Sequence, residues 1–192
     1  MKNIILAIFC LLPFVAQAAE PEKYLKGAVP EVDGVVVFSQ TYDVDHITQD
    51  EAMQRALEYV QTKVMAPAIQ QRYTRMLTDG VVDGQFVARV EEYMVFRKAF
   101  FNLDRTRIRY QLTATYASGK VNVEISQITY YYNEDQDGNS GIHYKAEEWI
   151  NDQNAVNKKG TKLYPRSGKF RRKTIDRAEA IFNELGLVLN QR

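Results

Sequence analysis

The sequence predicts an α+β fold, an antiparallel β-sheet with helices packed on one face. Three observations predict it. A β-branched and aromatic stretch leads directly into an amphipathic helical pattern; strand patterns joined by short turns then occupy residues 73–133; and the chain closes on further helical patterns.

The elements follow in order. Lys2 gives a positive start, residues 4–15 are apolar, and Ala16-Gln17-Ala18 is an A-x-A cleavage signal. This is the pattern of a secretory signal peptide over 1–18, too short for a membrane span. Export to the periplasm or the extracellular space is expected. Cys10, the single cysteine, lies inside the apolar run without the small residues that precede a lipidated cysteine, so cleavage removes it. A chain without cysteines in an oxidising compartment relies on packing, with neither disulfides nor thiolate metal sites. Residues 19–34 carry Pro21, Gly27, Pro30 and Gly34 with few large apolar side chains and read as a leader into a single domain over 35–190. No other segment is apolar enough to span a bilayer.

The domain opens with a strand at 35–42. Thr48 and Glu51 form a capping box, with Ile47 and Ala52 as its staple, and Met53, Ala56, Leu57, Val60 and Val64 make one apolar stripe before Pro67. Phe86, Ala88 and Val90 then alternate with outward residues, and a bulge at Glu91-Glu92 is expected to bring Tyr93 and Val95 into the inward phase. The cleanest alternation sets Ile108, Tyr110, Leu112, Ala114 and Tyr116 against Arg107, Arg109, Gln111, Thr113 and Thr115, one face buried and one wet. Ser118-Gly119 turns into Val121, Val123 and Ile125, after which the phase shifts to Ile128, Tyr130 and Tyr132. Residues 144–151 place Ala146, Trp149 and Ile150 on a short helical arc. Thr174 is positioned to cap a last helix with Ile175, Ala178, Ile181, Phe182 and Leu185 inward, bent or ended by Gly186.

Charge is balanced in total, with a formal net charge of +1, but not in distribution. Acids dominate residues 20–60, whereas Lys158, Lys159, Lys162, Arg166, Lys169, Arg171, Arg172 and Lys173 crowd into a basic tract. Such a tract either pairs with the acidic half or forms an anion-binding face, and these eight residues are the candidate anion site. A glycine-and-proline-interrupted segment of this kind is not expected to be one helix. Tyr130, Tyr131, Tyr132, Tyr144, Trp149 and Tyr164 add rings that suit sugars or anionic glycans, although Tyr130 and Tyr132 equally fit a core.

Catalytic patterns are scarce. His46 and His143 are the only histidines, without metal-ligand spacing, and no nucleophile elbow, phosphate loop or dinucleotide-binding glycine pattern occurs. No cofactor is expected. The acidic pairs Glu91-Glu92 and Glu147-Glu148 suit a glycosidase poorly, because neighbours on a strand point to opposite faces. Asn133, Asp135, Asp137 and Gly138 match the first half of a calcium loop, but Tyr144 stands where the bidentate Glu belongs, so the stretch is read as a turn. Leu103-Asp104-Arg105-Thr106 reads as a charged hairpin with a structural role.

Several of these stretches resemble a family of exported Bacteroidetes proteins that carry a domain of unknown function with a TATA-box-binding-protein-like (TBP-like) fold. The resemblance rests on GAVPEVDG at 27–34, on Leu103-Asp104-Arg105-Thr106 followed by Tyr110-Gln111-Leu112, and on NKKGTKLYPRSGKFRRKTI at 157–175. It implies β-α-β-β-β-β-α topology and brings no activity or catalytic residue; nor does the name of a fold imply nucleic-acid binding. The expectation is therefore a non-enzymatic exported module that binds an envelope protein or an anionic glycan or lipid, with no nucleic-acid partner. A carboxylate-dependent glycan hydrolase is the alternative, and it requires two acids and a histidine in one cleft.

Overall fold

The computed structural model describes residues 19–66, 73–99, 102–133 and 141–191. The signal-peptide residues 1–18 and most of the stretch weighed as a calcium loop, including Asp135, Asp137 and Gly138, lie outside them.

A small hairpin comes first, β1 (Glu31–Val32) with β2 (Val35–Val36), turning through Asp33 and Gly34 at positive φ. The strand expected at 35–42 is interrupted at Val37, whose N–H bonds to the Pro30 carbonyl, and resumes as β3 (Phe38–Asp43). Helix α1 (Gln49–Tyr59) follows, with the Thr48 hydroxyl accepting from the Glu51 N–H at 3.2 Å. Its last turn widens into a π-helical turn over Val60–Met65, closed by Ala66 N–H on the Gln61 carbonyl. Met53, Ala56, Leu57, Val60 and Val64 are all buried, as their spacing predicts.

The main sheet is antiparallel throughout. Strands β4 (Arg75–Met76), β5 (Gln85–Ala99), β6 (Asn102–Ala117) and β7 (Lys120–Tyr132) lie in the order β3-β7-β6-β5-β4, and β8 (Ile142–Lys145) pairs with the far end of β7. Ser118 and Gly119, both at positive φ, make the two-residue turn from β6 to β7. The phase shift expected in β7 is a bulge, with Gln127 at φ 51 and the register slipping between Arg109 and Gln111 of β6. Residues 103–106 are part of β6 and not a hairpin.

Strand β5 departs from expectation. No bulge occurs at Glu91-Glu92; the inward phase continues through Glu92 and Met94 to Phe96, leaving Tyr93 and Val95 outward at 37% and 40% exposure. An inward carboxylate is tolerated because Arg177 and the Tyr110 hydroxyl both donate to Glu92. The register shift comes later, between Val95 and Arg97.

After β8, unanticipated because its residues also fit a helical arc, come the short helices α2 (Ala146–Trp149) and α3 (Asp152–Ala155). Helix α4 (Pro165–Leu189) is longer than the capping pattern implied. Proline at its start lacks only an N–H that no helix would use there, so it opens the helix without breaking it. Gly168 permits close passage of Leu163, since a β-carbon there would lie 2.7 Å from the leucine. Gly186 admits the Tyr42 ring in the same way, and the helix runs on past it. Thr174 caps nothing; its hydroxyl meets that of Tyr130 at 2.7 Å inside the core.

Helices α1 and α4 lie together on one face of the sheet, and the core fills the space between. Residues 19–34 are not a loose leader. A turn at Glu22–Tyr24 lies against α4, Val29 is buried, and Lys23 pairs with Asp176 and Glu179. Neither α1 nor α4 lies on the opposite face of the sheet, which α2 meets only at its edge through Glu147.

Candidate functional site

The basic tract does not assemble into one face. Arg171 is fully buried: its Nε donates to the Tyr24 carbonyl, one terminal nitrogen to the Ile150 carbonyl, and the other to the Leu25 carbonyl and Asp152. Arg172 pairs with Glu20 at 2.8 Å. Lys169 binds Asp104 and the Tyr132 hydroxyl at 2.7 Å and sits over the Phe96 and Tyr132 rings. Burial disfavours its charge, but Asp104 and Tyr132 outweigh burial and raise its pKa above the ordinary lysine value. Lys158, Lys159, Lys162, Arg166 and Lys173 remain exposed, divided between the loop before α4 and two of its turns.

The aromatic residues divide likewise. Tyr130, Tyr132, Tyr144 and Trp149 gather edge-on around Phe170, with Tyr144 stacked on Trp149 at 4.0 Å. Tyr164 is exposed. Tyr131 alone among the three consecutive tyrosines faces outward, stacked on His143 at 4.6 Å.

That outer face holds the most organised polar cluster among the described residues. Antiparallel register aligns Glu91, Arg109, Thr129 and Lys145 in one row across β5, β6, β7 and β8, and Tyr93, Arg107, Tyr131 and His143 in the next. Glu91 is fully buried on this face, its two oxygens taken by Arg107 and Arg109, and its backbone exchanges hydrogen bonds with the Thr74 hydroxyl. Arg109 also donates to the Tyr131 hydroxyl at 2.7 Å. Its guanidinium lies 3.5 Å from the Tyr73 ring centroid and 4.2 Å from that of Tyr131. A guanidinium bonded along one edge and stacked on two rings is fixed before any ligand arrives.

Around Arg109 opens a cleft of about 420 Å³, lined by Tyr73, Arg89, Gln111, Gln127, Thr129, Tyr131, Lys145 and Glu147 among others. The β7 bulge delivers Gln127 to it, and the turn from β8 into α2 delivers Lys145 and Glu147. Three cations and one carboxylate line the cleft; Arg109 is paired with Glu91 and Lys145 lies 4.0 Å from Glu148, whereas Arg89 has no ion pair with any described residue. The wider groove of about 730 Å³ between the N-terminal segment, β3 and α4 differs, since its Lys23 is already paired with Glu179 and Asp176. Lys158 and Tyr164 line a separate depression of about 350 Å³ whose carboxylate, Asp152, is bound to Arg171.

Sequence reasoning passed over the outer cluster by classing Arg107 and Arg109 as merely wet. The signal was present as cations at i and i+2 of one strand, which must share a face. The missing part was the register that sets Tyr131 and Glu91 beside them.

A six-stranded antiparallel sheet backed by two helices, with the opposite face open, defines a TBP-like α+β protein. Residues 38–131 match the domain of unknown function DUF4468 with TBP-like fold. A DUF4468 family protein from Bacteroides ovatus has a similar crystal structure, with 33% identity, 88% of this chain and 95% of that chain covered, and a TM-score of 0.75. The chain belongs to the DUF4468 family. A TBP-like protein from Parabacteroides distasonis shares the fold at 19% identity, with 85% and 99% coverage and a TM-score of 0.66. No curated protein matches the chain. The family description specifies a fold and no activity.

Proposed function

We propose that this is an exported, non-enzymatic binding module of the cell envelope whose open sheet face holds an acidic saccharide. The observation that carries the reading is Arg109, fixed against Tyr73 and Tyr131 over buried Glu91 in a cleft that Arg89 and Lys145 also line. Tyrosine rings offer flat apolar surfaces to a sugar ring, and arginine and lysine supply donors to its acidic group. A cleft of this size accommodates a small ligand. Export is supported by the charged start, apolar run and Ala16-Gln17-Ala18 of the sequence.

A hydrolase is less well supported. Glu91 has both oxygens engaged by arginines and Glu92 points to the opposite face, while Glu147 is the one carboxylate among the described residues lining the cleft. Glu91 thus lacks the freedom that glycosidase chemistry uses, and Glu92 does not share its face.

The test is equilibrium binding of the purified mature chain to a panel of uronate, sulfated and phosphorylated sugars and their neutral counterparts, at low and high salt. Salt-sensitive binding to acidic members, weakened by the double change Arg89→Ala and Lys145→Ala, is expected. Failure to bind any acidic member at low salt would overturn the reading, and turnover of a glycan would replace it with the hydrolase.

A further inference from the structure

Arg75 of β4 and Arg89 of β5 are register partners, directly opposite each other on the open face of the sheet. Cross-strand partners have β-carbons roughly 5 Å apart, and like charges at that spacing destabilise the pairing. Several other arginines have a carboxylate partner: Glu91 serves Arg107 and Arg109, Glu92 serves Arg177, and Asp152 serves Arg171. Arg75 and Arg89 form no ion pair with any described residue. Across β6, the next residue in the row is Gln111, which is uncharged. Tyr73, two residues before Arg75, stands at the cleft with its ring against Arg109.

Resting on the reading of the cleft as an acidic-saccharide site, we infer that Arg75 and Arg89 together hold a phosphate monoester, the body of the ligand lying along Tyr73 toward Arg109. Two arginines at paired positions of neighbouring strands, with no counter-ion among the described residues, complement a group carrying close to two negative charges. At neutral pH a phosphate monoester carries about −1.5 to −2, whereas a carboxylate or a sulfate ester carries a single charge. Three terminal oxygens also offer acceptors to two forks at once, which a carboxylate does less well. The bound ester would do for this pair what Glu91 does for Arg107 and Arg109.

The experiment compares glucose 6-phosphate with glucose 6-sulfate and glucuronate by calorimetry, on the mature chain and on Arg75→Gln and Arg89→Gln. These side chains are not buried and face a like charge, so neither variant should melt below the parent. The phosphate should bind about tenfold or more tightly than the sulfate of the same shape, and each substitution should remove about that factor for the phosphate while changing glucuronate binding far less. A second arm uses phosphatidylcholine vesicles with and without phosphatidic acid. Capture by the acidic vesicles without binding of the soluble sugar assigns the ester to a lipid, and the reverse assigns it to a free or polymeric sugar; either outcome supports the monoester site. Equal affinity for phosphate and sulfate, or indifference of phosphate binding to Arg75→Gln, would overturn the inference while leaving acidic-sugar binding intact. Failure of every acidic ligand would remove both.

Discussion

Arg171 on α4 and Arg89 on β5 are the same residue type put to opposite uses. Arg171 is buried beside Tyr24 and Leu25, donating to three backbone carbonyls and one carboxylate, so that all three of its nitrogens serve the fold. Arg89 lines an open cleft opposite another arginine and forms no ion pair with any described residue. The density of basic residues along the chain is highest near Arg171, yet Lys169, Arg171 and Arg172 are each taken up by a carboxylate, whereas Arg89 has no such partner among the described residues. Positive potential is decided by which acids and carbonyls the fold brings to each cation, and a linear count of bases does not contain that information.

The sharpest test of this contrast is Arg171→Ala. Truncation strands the Tyr24, Leu25 and Ile150 carbonyls and the Asp152 carboxylate, and breaking a buried charged cluster costs roughly 3–5 kcal/mol. Arg89→Ala should stay within about 0.5 kcal/mol of the parent, as substitutions away from packed features do. Denaturant unfolding of both variants would show it. Equal losses would mean that Arg89 is structural too and that the open face is not a binding surface.

The same contrast explains what was legible in the sequence. The α1 stripe, the β6 alternation, the Ser118-Gly119 turn and the phase shift in β7 were all visible, because local periodicity and turn chemistry act within a few residues. Errors arose where a distant residue changed the local rule. Glu92 faces inward because Arg177, far along the chain, meets it. Glu91, central to the outer cluster, looked like half of an acidic pair at a bulge. Its role depends on β6 register, which alternation in one strand cannot supply.

Leu57→Ala probes the covered face, where that legibility was greatest. Buried leucine truncations cost roughly 2–5 kcal/mol, so a large drop in melting temperature is expected, with Gln54→Ala on the exposed side nearly neutral. Glu91→Gln probes the open face at a fully buried position. It keeps the shape but removes the charge shared by Arg107 and Arg109, and hydrogen bonds to charged groups contribute about 1.5–3 kcal/mol. Thermal melting should show a loss smaller than for Arg171→Ala. A neutral result would mean that the two arginines are not organised by this carboxylate, and the preformed character of the cleft would fail with it.

The smallest expected effect concerns acid. Burial works against the charge of Asp176, but hydrogen bonds from Lys23 and Tyr24 outweigh it and hold its pKa below the ordinary value. A carboxyl with a depressed folded pKa contributes stability that is complete above its unfolded pKa, about 3.9, and is lost as pH falls through the lower folded value. This carboxylate ties the segment around Lys23 to α4, on the side of the molecule where charges are internally paired. Asp176→Asn should therefore lower stability modestly at pH 6 and flatten part of the decline that sets in as pH falls below about 4, read by unfolding at a series of pH values. Both surfaces carry abundant charge, but only the paired one should contribute in this way: Arg89→Gln should leave the shape of the acid limb unchanged. If Asp176→Asn and the parent share one acid limb, the anchoring of residues 22–30 to α4 rests on Arg171 and the buried contacts, and the ion pair at Lys23 is incidental.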